Sequence, residues 1–190
     1  EYYLNSNKIR EFSEFNDYVA AYQAGVSATF NFSPTQELVL QVTNLRNGKD
    51  EDTYVYGRPE GIDKAKIPVI STLNWNGRFA DKSVHLRYAA SWGQQAKSKN
   101  ILYLTAANVY EKGPVVAYLD VMYSRQGLDA MGIISDMQTP VVLTPTTAMN
   151  TEYLSFIADF DYRFHPNWNA YIKGTYETAS VYKTNGLFEK

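Results

Sequence analysis

Two imidazoles, His85 and His165, are the only histidines in the 190 residues, and cysteine is absent, which removes disulfides, thiolate metal sites and cysteine nucleophiles together. No nucleophile stands near either histidine in a recognisable context, and His165 falls in a His165-Pro166-Asn167 turn, so catalysis has no support. The acidic run Asp50-Glu51-Asp52 suits either a solvated loop or one that meets calcium or lipopolysaccharide through divalent ions. Gly93, Gly113, Gly127 and Gly132 are expected at turns or loops and form no phosphate-cradling motif, and no cofactor is implied. What remains is charge at alternate positions: Arg78, Arg87, Asp120, Asp159, Asp161, Arg163, Lys173 and Glu177, joined by Glu37. On one face of a sheet around water, such residues either steer ions and small acids, as charged rings do in channels, or pair across neighbouring strands.

The elements that must carry them are strands, because side chains on a strand alternate between faces. Residues 154–164 put Leu154, Phe156, Ala158, Phe160, Tyr162 and Phe164 on one face, with Ser155, Ile157, Asp159, Asp161 and Arg163 on the other. After the His165-Pro166-Asn167 turn, Trp168, Ala170, Ile172, Gly174 and Tyr176 alternate with Asn169, Tyr171, Lys173, Thr175 and Glu177. Each run is about the 9 to 11 residues that a tilted bilayer-crossing strand needs, and apolar/polar alternation at that length marks a membrane β-barrel.

Three more such hairpins precede this one. Strands are expected over 18–32 and 36–44, joined by Ser33-Pro34-Thr35; over 69–79 and 83–93, joined by Ala80-Asp81-Lys82; and over 100–110 and 115–123, joined by Glu111-Lys112-Gly113-Pro114. The fifth is apolar on both faces, and Leu102, Leu104, Ala106 and Tyr110 are assigned outward. Residues 1–17 read as an extracellular loop or partial strand, 94–99 as a polar loop, and 46–66 and 125–151 as long extracellular loops. The last holds an apolar stretch, Val141-Val142-Leu143, that suits folding inward or packing on a neighbour. Trp75, Phe79, Trp92, Tyr110, Tyr123, Phe164 and Trp168 fall near strand ends, where rings form interfacial girdles. Tyr103, Tyr118, Tyr153 and Tyr171 point inward without clustering along the chain, which gives little for a carbohydrate-stacking strip.

Composition agrees. The chain is 45% hydrophobic, 20% charged and 15% aromatic, yet it has no 18-residue apolar run and so no transmembrane helix. A formal net charge of -2 gives no case for nucleic-acid binding. Glu1 follows no basic and apolar leader, so an export signal is expected to have been removed or to lie outside this segment.

Short turns after odd strands and longer loops after even ones put the short turns in the periplasm. Both ends of the chain then lie outside the cell, and the expectation is one domain, 1–190, that supplies about eight strands of a larger barrel.

The hairpin FDYRFHPNWNAYIKGTY (160–176) resembles those of bacterial outer-membrane porins, and LNWNGRF (73–79) and GQQAK (93–97) resemble the phosphate-selective porin O and P family of Bacteroidetes-like bacteria. That resemblance implies trimeric 16-stranded channels in the outer membrane with a narrowed basic pore, of which this segment is roughly half. It also implies a selectivity built on arginine and lysine ladders, and the inward positions here show no such ladder. The reading is therefore an all-β antiparallel transmembrane barrel that passes small hydrophilic solutes or ions by diffusion, among outer-membrane lipid and lipopolysaccharide, as a homotrimer or part of a larger membrane complex. A structural or adhesive barrel that transports nothing, and a soluble β-sandwich, are the alternatives.

Overall fold

The computed structural model describes residues 24–44, 58–130, 132–138 and 147–183. Among the described residues, eight strands form one antiparallel sheet in which each pairs with its neighbours in sequence. They are β1 (Gly25–Ser33), β2 (Gln36–Asn44), β3 (Val69–Phe79), β4 (Val84–Ala96), β5 (Lys99–Lys112), β6 (Val115–Leu128), β7 (Met149–His165) and β8 (Trp168–Val181). β2 and β3 begin and end where the alternation does. The expected start of the first strand, Tyr18, lies outside the described residues. β5, β6 and β8 run to 14 residues and β7 to 17, so these strands exceed the 9 to 11 that a bilayer requires.

The two ends of the sheet differ. At one end the strands turn on Pro34-Thr35, Ala80 to Ser83, Gly113-Pro114 and Pro166-Asn167. Ala80, Asp81 and Lys82 take φ of 50°, 52° and 69°, and Ser83 N donates to the Ala80 carbonyl at 3.0 Å. Three consecutive left-handed non-glycine residues are uncommon and are held here by the two strands they join.

At the other end, the polar loop expected over 94–99 is instead the end of β4, a Lys97-Ser98 turn and the start of β5. The reason lies in Gln95. Its side chain is only 2% exposed, donates from Nε2 to the Leu128 carbonyl (2.7 Å) and accepts from Leu128 N at Oε1 (3.0 Å). A glutamine that serves as backbone partner to a neighbouring strand reads as loop composition, although it belongs to the sheet. Gly93 and Gly127, expected in turns, also sit in strands: a Cβ on Gly93 would come 2.7 Å from the Val69 carbonyl, and one on Gly127 2.8 Å from the Lys99 Cα.

Register separates two faces. On one lie Val26, Phe30, Leu40, Leu73, Tyr88, Leu104, Leu119, Phe156, Phe160 and Ile172, all exposed. The outward assignment for the fifth strand has Leu104 and Tyr110 exposed on this face while Ile101, Ala107 and Val109 are buried on the other. Within the strands, charged residues on this apolar face are confined to the ends: Lys112 at the short turns, Arg125 and Glu152 at the opposite end. Asn108 is a polar exception within it. Its amide donates to the Leu119 carbonyl (2.8 Å) and its Oδ1 accepts from Tyr88 Oη (3.0 Å), which removes the cost of an unmet polar group beside hydrocarbon.

The opposite face is partly filled. The connection expected over 125–151 is shortened by the growth of β6 and β7 to residues 129–148, and its described parts pack onto the sheet. It includes a short helix, α1 (Ile133–Gln138), which the alternation did not foretell. Ile134 and Ala148 from this insertion form a buried cluster with Met122 and Tyr153, flanked by Tyr103, Ile133 and Val181. Ala96, Leu128 and Met149 form a second cluster with Ile62. Among the described residues no helix is long and apolar enough to cross a membrane.

Candidate functional site

The polar face is a grid, since antiparallel partners present their side chains on the same side. One row reads Asn31, Glu37, Asn76, Arg87, Ala107, Asp120, Ile157, Thr175. The next toward the short turns reads Arg78, His85, Val109, Tyr118, Asp159, Lys173. Glu177 lies one row the other way, opposite Ser155, and Asp161 stands opposite Tyr171. Seven of the eight singled-out charges, Arg78, Arg87, Asp120, Asp159, Asp161, Lys173 and Glu177, therefore share one face. Arg163 lies at the exposed end of β7, where the register shifts between Tyr162 and His165, and its backbone N–H donates to the Pro114 carbonyl (2.8 Å).

Proximity on the face is uneven. On β7 and β8 the carboxylates are held by neighbouring strands: Ser155 Oγ donates to Glu177 Oε1 (2.9 Å), and Asn169 Nδ2 to both oxygens of Asp161 (3.0 Å each). Lys173 stands opposite Asp159 and lies 5.7 Å from the centroid of the Tyr171 ring. Asp120 and Asp159 are buried, at 6% and 5% exposure. The donors to the Glu177 and Asp161 carboxylates are neutral side chains on the adjacent strand. Arg87 and Asp120 stand on either side of Ala107, two strands and so roughly 10 Å apart at the backbone.

On β1 to β4 the same face forms a pocket of about 190 Å³ at the short-turn end, with Asn31, Glu37, Asn76, Arg78, His85 and Arg87 among its walls. Asn76 Nδ2 donates to Glu37 Oε1 (2.8 Å). His85 Nε2 lies 2.5 Å from the Lys82 carbonyl, which can only accept, so that nitrogen carries the proton. Arg78 and Arg87 both line this hollow, with Glu37 as the acidic residue among its walls.

Toward the opposite end a set of residues that alternation did not single out ties the insertion to the sheet. Asp129 is fully buried and accepts four hydrogen bonds: from Tyr153 Oη (2.6 Å) and Gly132 N (3.0 Å) at Oδ1, and from Ser135 Oγ (2.7 Å) and Ser135 N (2.9 Å) at Oδ2. Ser135 Oγ in turn accepts from Ala148 N (2.9 Å), and Gln126 Oε1 from Ala130 N (2.8 Å). Tyr103 and Tyr153, distant in sequence, are brought together beneath α1, and Tyr153 is 3% exposed, which removes it from any surface that could stack a sugar. No sequence signal marks Asp129, because it lies in a stretch with no period.

Outside the sheet, Lys97 Nζ and Asp63 Oδ2 form an exposed ion pair at 2.8 Å. The hydrogen bond and charge of Lys97 hold the Asp63 carboxyl below its usual range, and the reverse holds Lys97 above its own. Asp50-Glu51-Asp52 lies outside the described residues.

The model of one protein family, phosphate-selective porin O and P, matches residues 1–189. No curated protein and no solved structure matches the chain. An open-ended row of short-turn hairpins with one apolar and one polar face is what a barrel wall in a bilayer requires, and the family match covers the whole of it. This chain belongs to the phosphate-selective porin O and P family of bacterial outer-membrane β-barrel proteins.

Proposed function

We propose that this porin passes small hydrophilic solutes by passive diffusion along the polar face, with little overall charge preference and a local affinity for anions on β3 and β4. The observation that carries this reading is the confinement of charge. Arg78, Arg87, Asp120, Asp159, Asp161, Lys173 and Glu177 share the face opposite the apolar one, where a charge at mid-bilayer costs Arg or Lys about 2–4 kcal/mol. Arg78, Arg87, Lys99 and Lys173 against Glu37, Glu111, Asp120, Asp159, Asp161 and Glu177 leave the polar face with a small net charge. The phosphate selectivity in the family's description has its support on this chain in Arg78 and Arg87. Reconstituted protein is expected to give ohmic currents in planar bilayers, with a reversal potential near zero in a potassium chloride gradient. Silence would favour the second reading, a wall that transports nothing, for which the insertion lying over β6 and β7 is the specific support.

The same reading implies a larger barrel. Among the described strands, β1 pairs only with β2 and β8 only with β7, and an open edge cannot face lipid because its backbone groups would go unmet. Further strands complete the wall, whether or not the barrel then forms a trimer. It also puts the short turns in the periplasm and the insertion outside, together with 46–66 and both ends of the chain. The connection after β4 is as short as those at the other end and does not distinguish the two sides. An epitope inserted at Lys82 should stain only permeabilised cells, and staining of intact cells would invert the topology.

A further inference from the structure

Charge on the apolar face is confined to the two ends of the strands, and the strand sets the distance between them. Lys112 stands opposite Val115, and Arg125 lies farther along the same face of β6. From Val115 to Arg125 the chain advances roughly 33 Å along the strand, which at a tilt of about 40° climbs roughly 25 Å, the height of the apolar band around a membrane barrel. Arg125 therefore sits where headgroups begin. Trp92, 56% exposed and two strands away in the same row, fits that level, because exposed indoles favour the membrane interface.

Glu152 stands directly opposite Arg125 in the register, yet the two charges do not meet. Glu152 Oε2 accepts from Tyr123 Oη at 2.8 Å, and Tyr123 lies one row nearer the middle of the band. The guanidinium of Arg125 goes the other way, with Cζ 3.8 Å from the centroid of the Tyr182 ring. Tyr182 is one row farther out, where its N–H donates to the Asn150 carbonyl at 3.0 Å and its Oη lies 3.5 Å from Asn150 Oδ1. Acid and base thus part along the strand direction. Stacking engages the face of the guanidinium and leaves its N–H edge without an acceptor among the described residues.

We infer that Arg125, held on Tyr182, docks the phosphate of a lipid headgroup, and that the lipid is lipid A, the phosphorylated glycolipid of the outer leaflet. The choice of leaflet rests on the proposed topology, which puts this end of the sheet outside. A guanidinium edge meets two phosphate oxygens at once, and a stacked one has already lost the freedom that such a bond would cost. The acyl chains of the same lipid would run down the exposed apolar residues below, Leu104, Phe156 and Leu119. Glu152, the acidic residue of this end, is turned toward Tyr123 and away from the phosphate.

Native mass spectrometry of the detergent-solubilised porin reads the site. The probes are diphosphorylated lipid A, the same lipid with both phosphates removed, and phosphatidylethanolamine. Wild type should hold lipid A about tenfold tighter than either of the others, as the loss of charge-assisted hydrogen bonds dictates. Arg125→Gln should bring all three within about twofold. Tyr182→Leu, which removes the platform and keeps the charge, should give an intermediate loss, and Tyr182→Phe none.

Lipid A binding that is unchanged in both Arg125→Gln and Tyr182→Leu overturns the site. So does an equal loss in Lys112→Gln, which would mean general attraction between cations and lipid phosphate. Equal binding of phosphatidylethanolamine overturns the assignment to lipid A. A detergent complex has no leaflets, so these outcomes bear on the site alone, whereas surface staining of the Lys82 epitope bears on the topology.

Discussion

The β1–β4 and β5–β8 halves of the polar face obey the same alternation and end as different surfaces. On β6 and β7 the small polar residues Ser124, Gln126, Thr151 and Ser155 are buried, at 0–1% exposure. Beside them the insertion packs Ile134 and Ala148 on Met122 and Tyr153, and Gln126 accepts from its Ala130 N–H. On β1 to β4 the polar groups Asn31, Glu37, Asn76, Arg78, His85 and Arg87 border a hollow. Polarity on an inward face thus does two jobs that a period of two cannot tell apart. It solvates a path, or it satisfies a folded-in segment. What distinguishes them is whether a second layer arrives, and that depends on residues 129–148, which have no alternation of their own.

The largest effect is expected at Asp129, which ties the insertion to the sheet. Asp129→Ala would leave two hydroxyls and two backbone N–H groups without their acceptor in a buried place, at a cost of about 3–5 kcal/mol. The insertion should come loose, with protease cutting within 129–148 and single-channel conductance rising. A variant with wild-type protease resistance and conductance would mean that the insertion is held by its apolar contacts alone.

Next in size is a test of the two faces. Phe156→Arg puts a charge at mid-strand on the apolar face and should cost about 2–4 kcal/mol, while Thr175→Arg on the polar face should cost well under half of that. Denaturant titration in lipid vesicles measures both, and equal penalties would remove the assignment of lipid and water sides.

A smaller, purely local effect sharpens the same point. Spin labels at successive positions from Leu154 to Phe164 should alternate between oxygen and a polar nickel reagent in accessibility. Since odd positions from Thr151 to Asp159 are buried, the nickel signal should grow toward Arg163, where the polar face opens. Uniform accessibility, or a period near 3.6, would contradict the sheet.

The smallest effect belongs to Asp63 and Lys97. A lowered carboxyl pKa stabilises above the ordinary carboxylate range and loses its contribution as pH falls through the folded value. A raised lysine pKa stabilises below the ordinary lysine range and loses it as pH rises. Both side chains are well exposed and screened by solvent, so Asp63→Asn should leave the melting temperature unchanged between these limits. A shift of several degrees would show that the pair clamps the β4–β5 turn to the segment before β3.

The local sequence pattern places the centres of the eight strands and assigns their faces. Trp75 and Tyr88, 5.6 Å apart between ring centroids, and Arg87, on the other side, were separable because a strand has no choice about which side successive residues take. It also determined the short turns, since Pro166-Asn167 and Gly113-Pro114 cannot continue a strand. Tertiary structure decided where polar composition meant loop and where it meant partner. Gln95 became part of β4 because Leu128, 33 residues away, needed a donor and an acceptor. Asp129 became the anchor of the insertion because Tyr153 and Ser135 converge on it from opposite sides of the connection. Such bonds join residues far apart in the chain, so no local period carries them. The gathering of Glu37, Asn76 and Arg87 belongs to the same class: alternation put each on the polar face, but only the register of three strands made them one row.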